Sequence, residues 1–186
     1  MMRKLRRLHR RFVASTRAVA AIEFAMILPI LMVLFLGSFD GGRAIAIYMK
    51  VRSATYALDA ITNQYTTLQA SDMTGIMGAI TQMMAPYPSA PAVITISQIT
   101  INASKKATYS FSVSQGGTAH GLGSTAPVPS NLAIANTYLI FAEVSYTYTP
   151  LYGYFSAGAI ALSDNLYATP RSTACIIYVP QNGSSC

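Results

Sequence analysis

The sequence predicts an α+β protein: a long N-terminal helix, transmembrane at first and amphipathic after it, followed by a small antiparallel β-sheet domain. Three observations predict it. From Ala18 to Phe39 the chain runs 22 residues with a single charge, Glu23; at about 1.5 Å per residue that helix is roughly 33 Å long, enough to cross bilayer hydrocarbon. From Ala44 to Leu68 apolar residues recur at spacings of three and four. Beyond Pro91 the spacing falls to two.

The elements follow in order. Residues 1–17 form a basic leader: Arg3, Lys4, Arg6, Arg7, Arg10, Arg11 and Arg17 supply seven of the 13 cations, and the remaining six match the six acids of the whole chain. The formal charge of +7 therefore belongs to the leader and the body is neutral. Cations directly before a span keep that end in the cytoplasm and send the rest across; they touch anionic lipid, so the charge is no sign of nucleic-acid binding. His9 needs no role of its own there. A cleavable secretory signal fits poorly, because the apolar run exceeds the usual length, carries Glu23 and lacks a small-residue cleavage site after Phe39. A mitochondrial transit peptide explains the acid-free start but not the span behind it.

Residues 18–39 are the transmembrane helix. Pro29 removes one helix hydrogen bond and predicts a kink in mid-span. Residues 40–85 are a helical extension in which Ala44, Ile47, Val51, Ala54, Leu58, Ile61, Tyr65 and Leu68 make a stripe, with Lys50, Arg52, Asn63 and Gln64 between them. A stripe this narrow suits either a coiled-coil seam or packing on the chain's own sheet, and its mixture of small and aromatic residues favours the sheet. Ala70-Ser71-Asp72 offers a cap for a second helix whose apolar face is Met73, Ile76, Met77, Ile80, Met83 and Met84, adaptable core rather than a ligand site.

Residues 92–186 are the sheet domain. Val93 to Ile96 alternates, the phase then slips to Ile99 and Ile101, and a bulge near Ser97-Gln98 is expected. Asn102 to Lys106 turns the chain into a second strand with Tyr109, Phe111 and Val113 on one face. Gln115 to Ser130 is a polar loop whose glycines 116, 117, 121 and 123 cannot cradle phosphate, since neither a Gly-Lys-Ser/Thr nor a helix follows; His120 reads as a solvated loop residue. Asn136 to Thr149 is the strongest strand, with Tyr138, Ile140, Ala142, Val144, Tyr146 and Tyr148 on one face and a partly wet second face. Leu151 to Asp164 reads as a Gly- and Ala-rich insertion, and Ala174 to Val179 as the last of about four strands. Cys175 and Cys186 are disulfide candidates across a short loop in an oxidising compartment. Without a second pair of ligands they make no zinc site.

Catalytic chemistry is missing from the pattern. Beyond the membrane the chain has five acids and one histidine, with no nucleophile beside a base and no carboxylate cluster, so an enzyme, a metal and a cofactor are not expected.

The run Ala18-Val19-Ala20-Ala21-Ile22-Glu23-Phe24-Ala25, then Leu28-Pro29, a Leu-rich stretch and Asp40-Gly41-Gly42-Arg43 resembles the TadE/TadG-like family, minor pilins or pseudopilins of the bacterial tight-adherence (Tad, Flp-type) pilus. The resemblance covers about Arg17 to Ala44. It implies a pilin-like single-pass protein of the inner membrane with its C-terminal domain in the periplasm. Its role would be assembly or priming of a pilus for surface adhesion and biofilm growth. The partners implied are other pilins and minor pilins, a prepilin peptidase and an inner-membrane assembly platform with its ATPase. It also implies cleavage between Ala18 and Val19, where the family pattern usually has Gly before the cut. Glu23 would then be the fifth mature residue, paired with the freed Val19 amine of a neighbouring subunit, and Glu23, Phe24 and Pro29 would pack subunits in the membrane. The alternative reading is a membrane-tethered periplasmic binding or sensing domain that never enters a filament.

Overall fold

A computed structural model describes residues 16–151 and 158–182. The leader residues 1–15 and Cys186 lie outside the described residues, as does part of the Leu151 to Asp164 segment.

The first helix, α1, spans Thr16–Thr62, 47 residues including Pro29. The span and its extension are one element as far as Thr62; the stripe expected to continue through Tyr65 and Leu68 is cut there, and Leu68 lies in a strand. Its two halves meet different surroundings. From Val19 to Phe35 every side chain is exposed, whereas Ile47, Val51, Ala54 and Leu58 are buried, at 1% exposure or less. Full burial of such aliphatic groups contributes about 1.5–3 kcal/mol each, and here the buried partner is the sheet, so the stripe packs on the chain's own domain. Asn63, grouped above with the solvent-facing residues, is instead fully buried: its Nδ2 donates to Asp59 Oδ1 at 2.8 Å. Asp59 is itself only 4% exposed, and burial pushes its carboxyl up while the Asn63 hydrogen bond and the Arg171 charge pull it back.

After a two-residue strand β1 (Thr67–Leu68) comes helix α2, Ala70–Gln82. Asp72 acts at its start, but from the third helical position: Asp72 Oδ2 accepts the Gln69 N–H at 2.9 Å. Met73, Ile76, Met77 and Ile80 are buried. The helix stops at Gln82, so Met83 turns outward, 37% exposed, while Met84 remains buried.

Four strands build the main sheet: β2 (Ala92–Ile101), β3 (Ala107–Gln115), β4 (Thr137–Tyr148) and β5 (Ile160–Ala168), in spatial order β3-β2-β4-β5. Every neighbouring pair is antiparallel. The β2–β3 turn is closed by Asn102, whose Oδ1 accepts the N–H groups of Ser104 and Lys106. The expected bulge falls at Gln98/Ile99, beside Ser97-Gln98, but its extra residue is on the partner strand. The β2–β4 register is unbroken, and the shift lies between β2 and β3, where Gln98 faces Phe111 but Ile99 faces Tyr109. The extra residue is thus Ser110, in β3. Phe111 and Val113 look toward the helices, and Tyr109 looks the other way. The apolar phase of β2 changes face because the sheet has a core on each side. Ile94 and Ile96 join the helices, whereas Ile99 and Ile101 join Tyr109, Leu139, Phe141 and Ala126 on the far face.

A correction concerns the last strand. The fourth strand of the sheet is β5, which begins inside the segment read as an insertion and runs past its end, and residues 174–179 stay out of the sheet. Only β6 (Ile177–Tyr178) pairs, in parallel with β1, before a one-turn helix α3 (Val179–Asn182). The backbone donors there are taken by other groups: Ile176 N–H by Gln98 Oε1 at 2.7 Å, Ile177 N–H by Thr66 O at 3.0 Å and Tyr178 N–H by Asn182 Oδ1 at 2.6 Å.

The loop after β3 is fastened rather than free. Gly123 N–H donates to Tyr109 O at 2.8 Å, Tyr109 N–H to Ser124 O at 3.1 Å and Ala126 N–H to Ala107 O at 3.0 Å, so the loop lies along the β3 edge and roofs the far-side core. Gly116 permits the turn into it: its φ is +80°, and a Cβ there would sit 2.4 Å from Ala92 O.

Candidate functional site

The residues singled out for membrane packing lie on the N-terminal half of α1. Ala18 and Val19 are in its first turn. Val19 is 48%, Phe24 59%, Met26 72% and Phe35 72% exposed, and apolar side chains point outward on every side of the helix. Water is a poor solvent for so large an apolar surface; lipid or other apolar helices suit it. The helix is long and apolar enough to cross a membrane. Glu23 is exposed within this surface and, among the described residues, has no ion-pair partner. Among the described residues nothing neutralises it, and a charge on so apolar a surface calls for a partner or for solvent.

At the end of the apolar half, Asp40 ties the helix to the sheet. It accepts from Tyr148 Oη at 3.3 Å and from the Leu151 N–H at 3.1 Å, and its own carbonyl accepts the same Tyr148 hydroxyl at 3.2 Å. Burial and the neighbouring carboxylate push the Tyr148 phenol up. One turn on, the Arg43 guanidinium lies over the Phe39 ring at 5.9 Å. The Asp-Gly-Gly-Arg exit is thus a joint, with both charged residues engaged.

The far face of the sheet holds a second polar grouping that sequence reasoning missed. His120 is not a freely solvated loop residue: its Nε2 lies 2.6 Å from Glu143 Oε2, its ring stacks on Tyr109 at 4.3 Å and its N–H donates to Ser112 Oγ at 2.9 Å. This pair borders an open cavity of about 220 Å³ with Thr95, Thr118, Ser145 and Asn165 in its wall. A signal was present: an acid in mid-strand between Phe141 and Val144 needs a partner, and His120 is the sole histidine after the leader. Among the described residues no three His, Cys, Asp or Glu side chains gather into a metal-binding group. Of the disulfide candidates, Cys175 is buried at 2% exposure and is not a free thiol, while Cys186 lies outside the described residues.

Residues 18–57 match the family model described as TadE-like protein. The N-terminal region is TadE-like. The TadE-like region begins at Ala18, contains the exposed apolar half of α1, Glu23 and the Asp40 to Arg43 joint, and ends one residue short of Leu58, within the buried stripe. The sheet domain lies beyond it. No curated protein and no solved structure matches the chain.

Proposed function

We propose that this chain is a minor pilin or pseudopilin that takes part in assembling or priming a Tad-type pilus, and that it works by association rather than catalysis. The observation that carries the reading is the coincidence of the TadE-like match with a helix whose N-terminal half exposes its apolar side chains all round and whose one acid before Asp40, Glu23, has no ion-pair partner among the described residues. In this reading the helix sits in the inner membrane, with the leader in the cytoplasm and the sheet domain in the periplasm. A prepilin peptidase cuts between Ala18 and Val19. The new amine of one subunit then meets Glu23 of the next, where low dielectric makes both the pairing and its loss large. Other pilins and the assembly platform of the same system are the partners.

Intact mass and terminal sequencing of the protein purified from its own membranes test this. A start at Val19 is expected, together with loss of pilus assembly on Glu23→Gln. Retention of Met1 or Met2 would remove the processed-pilin mechanism and leave a permanently anchored periplasmic domain.

A further inference from the structure

We propose that the end of the sheet formed by Leu151 and Ile160 rests in the outer interfacial layer of the same bilayer that α1 crosses, so that the domain touches lipid at a second point. This rests on the reading of α1 as a membrane span.

Three observations converge on it. The first is height: counting from Val19, about 30 Å of helix ends near Phe39, which makes Asp40 the first residue beyond the hydrocarbon. Asp40 holds the Leu151 N–H at 3.1 Å, so the end of the β4 segment is fixed at that level. The second is chemistry. Leu151 is 61% and Ile160 40% exposed, beside Phe39 at 46%. Together with Gly37, Asp40, Gly41, Ala44, Tyr148 and Pro150, Ile160 lines an open groove of about 230 Å³. This groove adjoins the end of the apolar half of α1 at Gly37, and its lining is apolar apart from Asp40 and the Tyr148 hydroxyl. Tyr148, with its ring buried and its hydroxyl on Asp40, is of the residue type favoured where hydrocarbon meets headgroups. The third is charge. The described residues 144–151 and 158–163 include no Asp, Glu, Lys or Arg, whereas the β2–β3 turn at the opposite end of the sheet carries Lys105 and Lys106. Sheet strands without charge at one end and a lysine turn at the other suit a domain standing on a membrane, with Asp40 and Arg43 of α1 at the level of the headgroups.

The chain contains no tryptophan, so single tryptophans report cleanly on depth. Full-length Phe35→Trp, Leu151→Trp, Ile160→Trp and Ile134→Trp variants are reconstituted into phosphatidylcholine vesicles, some with acyl chains brominated near the headgroup end. All four replaced residues are exposed, so packing is preserved. Ile134 lies at the opposite end of β4, roughly 35 Å away along the strand. Emission from Leu151→Trp and Ile160→Trp is expected to be blue-shifted and quenched by bromine, as for Phe35→Trp, with Ile134→Trp neither shifted nor quenched. If Phe35→Trp is quenched while both sheet-end reporters behave like Ile134→Trp, the second contact is refuted and the span stands. If Phe35→Trp also escapes quenching, the span fails and the inference with it.

Discussion

Leu58→Ala tests whether the C-terminal half of α1 and the sheet are one cooperative body. Leu58 is fully buried in the core shared by α1, α2 and the helix-facing side of the sheet. Truncating it removes the transfer energy of its lost carbons and leaves a cavity between layers that cannot collapse freely, for a cost of about 3–5 kcal/mol. Tyr56, two residues earlier and 48% exposed, is the control, and Tyr56→Ala should stay within about 0.5 kcal/mol. The assay is native-state hydrogen exchange on the full chain in detergent, read on peptides from β2, whose Ile94 and Ile96 are fastened on both sides by β3 and β4. If the amides of β2 exchange through global opening, a loss of about 3 kcal/mol accelerates them by about 100-fold. Unchanged β2 exchange in Leu58→Ala, with a normal Tyr56→Ala, would refute the claim that the helix belongs to the domain core.

Asp59→Asn probes the buried carboxyl. Its folded pKa is raised by burial, so the folded state holds the proton more tightly and wild-type stability falls as pH climbs from the unfolded value of 3.8 through the raised one. The variant keeps an acceptor for Asn63, and its melting temperature relative to wild type should therefore rise across that window. Tyr109 gives the alkaline counterpart: burial, aided by the Glu143 charge, holds its phenol at about 12 against 10.0 when free, so stability should drop from pH 10.0 upward, and Tyr109→Phe should flatten that drop in thermal melts. Gly116→Ala forces a side chain onto positive φ and against Ala92 O and should cost about 2 kcal/mol or more, whereas Gly123→Ala, with φ +73° but open space, should cost about 1 kcal/mol in urea titration.

The helical half was legible because lipid and core each impose a simple rule on it: unbroken apolarity for one, a stripe at spacings of three and four for the other. Asn63 broke the stripe rule, since its burial rests on a hydrogen bond to Asp59 four residues earlier rather than on hydrophobicity. In the sheet, alternation located β2, β3 and β4. Faces were harder, because a sheet with a core on each side has no single apolar phase, and one extra residue at Ser110 sends Tyr109 and Phe111 to opposite sides. β5 was hidden as an edge strand: Ser163 and Asn165 point from one face, and Asp164 interrupts the other between Leu162 and Leu166. Residues 174–179 read as a strand since β-branched and aromatic residues cluster there, yet two of their backbone donors go to side-chain acceptors, that of Ile176 to Gln98, 78 residues away, and that of Tyr178 to Asn182 in the following turn. The His120–Glu143 pair escaped for the same reason, 23 residues apart along the chain and joined by loop docking alone.

The continuity of α1 makes it a lever with its fulcrum at Asp40. From there to Thr62 the helix extends about 33 Å, and that stretch has no proline at which to bend. A rocking of about 10° of the apolar half therefore carries the far end of the domain sideways by about 6 Å, roughly the width of one strand-to-strand step. Crowding or pulling on the exposed apolar half of the helix would thus register as displacement at the distal surface, and a touch on that surface would return as torque on the apolar half.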